Sequence, residues 1–150
     1  MNRDELLAAC FGDADLPREK KIFETIDGND VVSHVGLLYR RILVRPATYA
    51  GPGVSDASDM VTVAAITNVC TDPDYRGQGF ARANLDAAHA DAATHQMVAF
   101  AAVFASEPVF DGFYRSRGYF HPDGAPDGFY VCPLRSDEWP TGVVETFQRW

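Results

Sequence analysis

Val61-Thr-Val-Ala-Ala-Ile-Thr-Asn-Val-Cys-Thr-Asp-Pro-Asp-Tyr-Arg-Gly-Gln-Gly-Phe-Ala81 is the stretch whose reading decides the fold. Its first half, Val61 to Thr71, is rich in β-branched residues and bounded by Asp72-Pro73, which predicts a buried strand. Pro73 has no N–H to donate, so pairing is expected to stop there. Arg76-Gly77-Gln78-Gly79 then leads into Phe80 to His95, an alanine-rich run of good helix propensity. The free N–H groups at that helix start, with the positive end of the helix dipole, make a ready anion site. Gly77 and Gly79 let the backbone approach a ligand closely, because neither carries a Cβ.

A dinucleotide fingerprint would put Gly or Ala at position 82, where this chain has Arg82, and would want an acidic residue on a strand about 20 residues on, which the strand expected at Met97 to Phe104 does not offer. A phosphate loop of the Gly-Lys type has no counterpart here. The plain alternative is a tight strand-to-helix turn with no ligand, but strand, turn, paired glycines and Arg76 occur together. A second block, Val109-Phe-Asp-Gly-Phe-Tyr-Arg-Ser-Arg-Gly-Tyr-Phe120, reads as a short helix starting near Pro108. It should end at Gly118 in the left-handed conformation, with a strand beginning at Tyr119.

Taken together, the two blocks resemble the signatures of the GNAT acyltransferase superfamily. The coenzyme A motif R/Q-x-x-G-x-G/A is matched by Arg76, Gly79 and Ala81, and the motif F-Y-x-x-x-G-F by Phe113, Tyr114, Gly118 and Tyr119. The resemblance implies an α/β fold: a mixed, mostly antiparallel sheet with splayed central parallel strands, flanked by helices. It implies acetyl-CoA as co-substrate, no metal, and direct transfer to the primary amine of a small molecule in a ternary complex. Carried over by position, the Val69 N–H faces the thioester oxygen, and oxyanion donors typically contribute ~3 kcal/mol each. Thr71 binds the pantetheine arm, and the run Arg76, Gly77, Gln78, Gly79, Phe80 and Ala81 takes the pyrophosphate. Tyr114 aligns with the general acid towards the coenzyme A sulfur, and a phenol of pKa about 10 suits a thiolate leaving group. Glu107 stands where many members carry an asparagine that touches the pantetheine.

No general base is evident on the central strand, since Val61 to Thr71 contains no Asp or Glu. His34 on the second strand and Glu24 on the first are the candidates, with a water chain as the alternative. His89 and His95 are expected to be solvated, and His121 lies in a turn that could approach the site.

Composition bounds the remaining readings. A chain of 150 residues, 47% of them hydrophobic, suffices for one domain spanning residues 1–150. No apolar run of membrane-spanning length and no signal-peptide pattern is present, and three widely separated cysteines fit a reducing cytoplasm. Cys10, Cys70 and Cys132 lack metal-ligand spacing and read as small packing residues. A net charge of −8 argues against nucleic acid as a partner. It suits a cationic amine acceptor, and a homodimer is compatible with everything in the sequence.

Along the chain, Arg3 to Phe11 reads as a short helix, Lys20 to Ile26 as a strand, and Asp27-Gly28-Asn29-Asp30 as a hairpin turn. Val31 to Val44 reads as a long strand whose imperfect alternation predicts a bulge. Ala47 to Asp59 reads as a mobile loop, and Phe129 to Leu134 as a late strand stopped by Pro133. The family usually opens with a strand and two helices that wall the acceptor site. Only about twenty residues precede the first hairpin strand here, so part of that wall is expected to be trimmed, with the Ala47 to Asp59 loop or a second chain closing the site. Ser136 to Val144 and Val32 to Arg41 are similar to stretches in nodulation-factor N-acyltransferases, which acylate an amino sugar. Trp139 and Trp150 are expected to cover the sheet or a subunit contact. From another functional class, a catalytically silent acyl-CoA-binding module fits the same motifs.

Overall fold

The computed structural model describes residues 1–45, 59–145 and 150. The expected Ala47 to Asp59 loop lies outside them except for Asp59, where a strand begins. Helix α1 (Arg3–Phe11) starts in a capping box: the Asn2 side chain accepts the Glu5 N–H, and the Glu5 carboxylate accepts the Asn2 N–H, both at 2.9 Å. Strands β1 (Lys21–Asp27) and β2 (Asp30–Arg45) follow as a hairpin. Gly28 takes a positive φ of 62° at the first central position of its two-residue turn, the arrangement whose twist matches the flanking strands.

β3 (Asp59–Thr71) is central, and it ends before Pro73 as that residue's missing donor requires. A single 3-10 turn (Pro73–Tyr75), capped by the Asp72 side chain, carries the chain to α2 (Phe80–Ala93). β4 (Phe100–Phe104) is shorter than the expected Met97 to Phe104, because Met97 stands exposed in the turn after α2. An irregular helix over residues 107–117 begins as α, widens to π across Phe110–Tyr114 and tightens to 3-10 across Arg115–Arg117. Gly118 ends it at φ 91°, the left-handed position expected for it. The strand expected from Tyr119 is reduced to a single bridge between Phe120 and Val131. β5 (Phe129–Pro133) and β6 (Val143–Glu145) complete the sheet, and β6 was not foreseen.

The strand order is β1-β2-β3-β4-β5, with β6 beside β2 beyond the end of β1. Every described pairing is antiparallel except β3 with β4, which is parallel over only Val63 to Ala65. Beyond Ala65 the two strands part, which is the splay expected of the fold.

Alternation sorts the apolar side chains onto two faces. Ala64, Ile66, Ala101, Val103, Tyr130 and Cys132 pack with Leu85, Ala88 and Ala92 of α2. Val63, Phe100, Ala102, Phe129 and Val131 form the opposite layer. There Trp139 meets the Phe100 ring edge-on at 5.1 Å and Trp150 meets Phe104 at 4.8 Å, so both tryptophans cover the sheet. Among the described residues, no helix is long and apolar enough to cross a membrane.

Leu85 is fully buried at the centre of the α2 face. Leu85→Ala is expected to cost about 3 kcal/mol through lost transfer energy and the cavity left behind. Urea unfolding should show this as a lower midpoint with an unchanged slope.

Candidate functional site

Two irregularities in the sheet shape the site. Thr25 pairs with Ser33 but Ile26 with Val31, so Val32 is an extra residue in β2 and supplies the bulge expected there. The second lies in β3. His34 pairs with Cys70 but Gly36 with Thr67, so Asn68 and Val69 together oppose Val35. Asn68 is the described non-glycine residue with positive φ, at 52°. One extra residue reverses the alternation of everything after it. Val69 accordingly packs on the α2 face beside Ile66, although its parity in the strand would place it opposite.

The bulge lies between two clefts that share Val69 and Val109. The larger, about 700 Å³, is walled by Val69 and Thr71 of β3, by Tyr75 to Gly77, by the start of α2 from Gly79 to Arg82, and by Gly112 and Phe113. Gly77 and Gly79 hold φ values of 79° and 80°, and a Cβ on either would project into open space. α2 begins with no side-chain cap and no acidic residue in its first turn, while Arg82 stands there instead. For an isolated helix that charge is on the wrong end; for an anion-binding helix it is on the right one. The Arg76 Nε donates to the Thr71 carbonyl at 3.3 Å, leaving the rest of its guanidinium at the cleft. The open backbone and two cations therefore suit a phosphate-bearing ligand. Of the expected run, Gln78 alone does not line this cleft. Sequence reasoning missed Tyr75, Arg82, Val109 and Gly112, and only the cationic Arg82 in the helix's first turn offered a signal.

The second cleft, about 480 Å³, opens where β3 and β4 part and includes Ile66 to Val69, Val103 to Ser106, Phe11, Asp15 and Tyr114. Tyr114 is buried, its ring edge-on to Phe113 at 4.9 Å and to Tyr119 at 5.2 Å. Its hydroxyl has no hydrogen-bond partner among the described residues, and burial pushes the phenol well above its ordinary value, keeping it protonated. Val69 and Tyr114 thus face one space from β3 and the 107–117 helix.

His34 is not at either cleft. It is fully buried, with Nδ1 3.0 Å from Glu24 Oε1 and Nε2 2.5 Å from Glu19 Oε1. Glu24 also accepts from Arg3 Nε, and Glu19 Oε1 accepts from Asn68 Nδ2 at 2.7 Å. Asn68 Nδ2 reaches the Pro17 carbonyl at 3.3 Å as well. Burial would lower the His34 pKa, but the two carboxylates outweigh it and raise it above its ordinary value. Burial would raise Glu19 and Glu24, and their bonds from His34, Asn68 and Arg3 outweigh that and lower both. Gly36 makes room for this cluster: a Cβ there would meet Glu19 Cγ at 2.7 Å and Oε1 at 2.8 Å. Both ring nitrogens of His34, the candidate base, are therefore taken up by carboxylates in a buried cluster. Glu19 went unnoticed because it sits in a segment with no periodicity.

His89 is also placed differently from expectation. It bonds the Tyr119 hydroxyl at 2.6 Å, and burial lowers its pKa to about 4. His95 is exposed, as expected. His121 and Glu107 line a neighbouring cleft with Tyr130, which shares Ala105 and Ser106 with the cleft of Tyr114. Among the described residues, no group of three or more His, Cys, Asp or Glu could hold a metal ion.

The sheet splays beside a bulge, and an uncapped glycine-led helix follows the bulged strand. Residues 57–121, which contain both clefts' central walls, match the family model described as an acetyltransferase (GNAT) domain. Comparison with curated protein sequences found no match. Among solved structures, the chain is similar to Eis1 from Mycobacterium abscessus, with 19% identity, a TM-score of 0.57, and 81% of this chain and 30% of that one covered. It is similar to a candidate N-acetyltransferase from Lactobacillus plantarum, with 18% identity, a TM-score of 0.56 and 88% of each chain covered. It is also similar to the GNAT family N-acetyltransferase YhbS from Escherichia coli in complex with CoA, with 18% identity, a TM-score of 0.54, and 81% of this chain and 63% of that one covered. The chain spans less than two thirds of the length of Eis1 and of YhbS. At such identities the structural likeness defines the fold. Residues 57–121 carry the likeness to the acetyltransferase (GNAT) domain model.

The His34 cluster carries a pH signature. A lowered Glu19 and Glu24 stabilise the fold above their ordinary value of 4.5, and that contribution is lost as pH falls through their folded values. A raised His34 stabilises it below 6.5, and that contribution is lost as pH rises through its folded value. The stability difference between the wild type and His34→Leu is therefore expected to peak between pH 4.5 and 6.5. It should reach about 3 kcal/mol there, as for a buried charge stripped of its partner, and urea titrations across pH measure it.

Proposed function

We propose that the chain is an N-acyltransferase that moves an acyl group, most simply acetyl, from acyl-CoA to the primary amine of a small molecule. The observation that carries this reading is the meeting of the two clefts at Val69, with the open glycine cradle on one side and the Tyr114 phenol on the other. The bound acyl-CoA supplies an electrophilic thioester carbonyl and a thiolate leaving group.

The residues of this chain supply the rest. The N–H groups at the start of α2, with Arg76 and Arg82, hold the pyrophosphate. Thr71 and Gly112 border the path between that cradle and the bulge. The Val69 N–H, displaced from the β2–β3 register, donates to the carbonyl oxygen as charge develops on it. The neutral amine nitrogen bonds to the carbonyl carbon, the carbon–sulfur bond breaks, and Tyr114 gives its proton to the departing sulfur. Burial keeps the phenol protonated in the resting site. The proton lost by the amine leaves through solvent in the second cleft, and the Tyr114 phenolate takes one back from the same solvent.

Calorimetric titration with acetyl-CoA and free CoA, followed by thiol release against an amine panel, tests this. Binding with amine-dependent thiol release is the expected result. Binding with no turnover on any amine would favour the silent acyl-CoA-binding module, and no binding would overturn both. Tyr114→Phe is expected to lower kcat about 100-fold with the acetyl-CoA Kd unchanged, since the phenol acts only in the transition state. Gly79→Val should abolish CoA binding in a protein that keeps its circular dichroism spectrum, because the left-handed backbone strains a branched residue and its side chain would project into the space the phosphate takes.

A further inference from the structure

The hydrogen-bond chain through His34 ends on the bulge. From α1, Arg3 holds Glu24 of β1; Glu24 and Glu19 hold the two ring nitrogens of His34 in β2; Glu19 holds Asn68 of β3. A neutral imidazole has one N–H and can donate to only one carboxylate. Both bonds at once require the imidazolium. Asn68 occupies a left-handed conformation that costs a non-glycine residue of order 1 kcal/mol or more, so something must hold it. Its side chain is held on one side by Glu19 and the Pro17 carbonyl and on the other by the Thr67 hydroxyl at 3.3 Å.

We propose that Glu19 is a positioning residue for acyl transfer: bridged by the His34 imidazolium to Glu24, it clamps Asn68 and so fixes the direction of the Val69 N–H. Cys70 is the register partner of His34, and around its thiol lie Cys10 of α1, Glu19 and the Arg76 guanidinium. Burial pushes the Cys70 thiol far up, so it stays neutral while the imidazole titrates. When His34 loses its proton, one of its two carboxylate bonds breaks, and the clamp on Asn68 slackens. The role assigned to Val69 rests on the transfer reading above; the clamp itself does not.

The test follows the wild-type protein by NMR across pH. The Asn68 and Val69 amide resonances are expected to move with the same midpoint as the His34 ring, above its ordinary 6.5. In Glu19→Gln that linked movement should vanish, while the acetyl-CoA Kd stays within about twofold and kcat falls about 10–100-fold, the scale of a small misplacement of a reacting group. Amides that ignore the His34 titration, or a Glu19→Gln protein in which they still follow it, would overturn the clamp. The wild-type titration needs no variant to fold. Linked amides without turnover on any amine would count against the transfer reading and leave the clamp standing.

Discussion

Everything at the site depends on one extra residue in the central strand. Asn68 and Val69 share the place of one residue opposite Val35, and that mismatch does three things at once. It turns Val69 onto the α2 face, it shifts the β2–β3 register, and it falls just past the point where β4 stops pairing. A regular strand here would bond its polar groups to both neighbours and offer nothing to a ligand. The bulge leaves polar backbone beside two clefts, and such backbone is costly to bury unless a partner arrives.

The surroundings keep that local irregularity from spreading. Antiparallel ladders run along β2 on both sides of the bulge, and two apolar layers sandwich the sheet. Buried polar groups gather at the bulge: Ser33 donates to the Cys70 carbonyl at 3.3 Å, Thr67 to Asn68, and Asn68 to Glu19. A network of this kind is stable only when every member is satisfied, and here the charges alternate along it: cation, carboxylate, imidazolium, carboxylate, amide. Gly36 is part of the same constraint, since any side chain there would push Glu19 off its partners.

Much of this was legible in the sequence. α1, the hairpin, the central strand ending at Pro73, the glycine-led helix and the left-handed Gly118 all rest on local chemistry: caps, missing donors, positive φ and β-branched runs. The strand expected from Tyr119 failed because a strand needs a partner, and only Val131 is opposite. β6 was invisible because three residues against the free end of β2 owe nothing to their own pattern. At the site, the open glycine turn before α2 was readable because its logic is backbone and contiguous. The Arg3–Glu24–His34–Glu19–Asn68 chain was not, since its members come from five stretches of sequence and only the fold brings them together. His34 looked like an accessible base for the same reason: a sequence shows a histidine, not the two carboxylates that enclose it.

α2 begins on Gly79 with neither a capping side chain nor an acidic residue in its first turn. Its first amides are therefore left for something outside the chain to complete. A phosphate seated there would act as the missing cap, so occupancy and folding draw on the same free energy. By mass action, a ligand at 100 times its Kd adds about 2.7 kcal/mol to the folded state. The folded state would then gain stability with the concentration of any phosphate-bearing ligand that seats there.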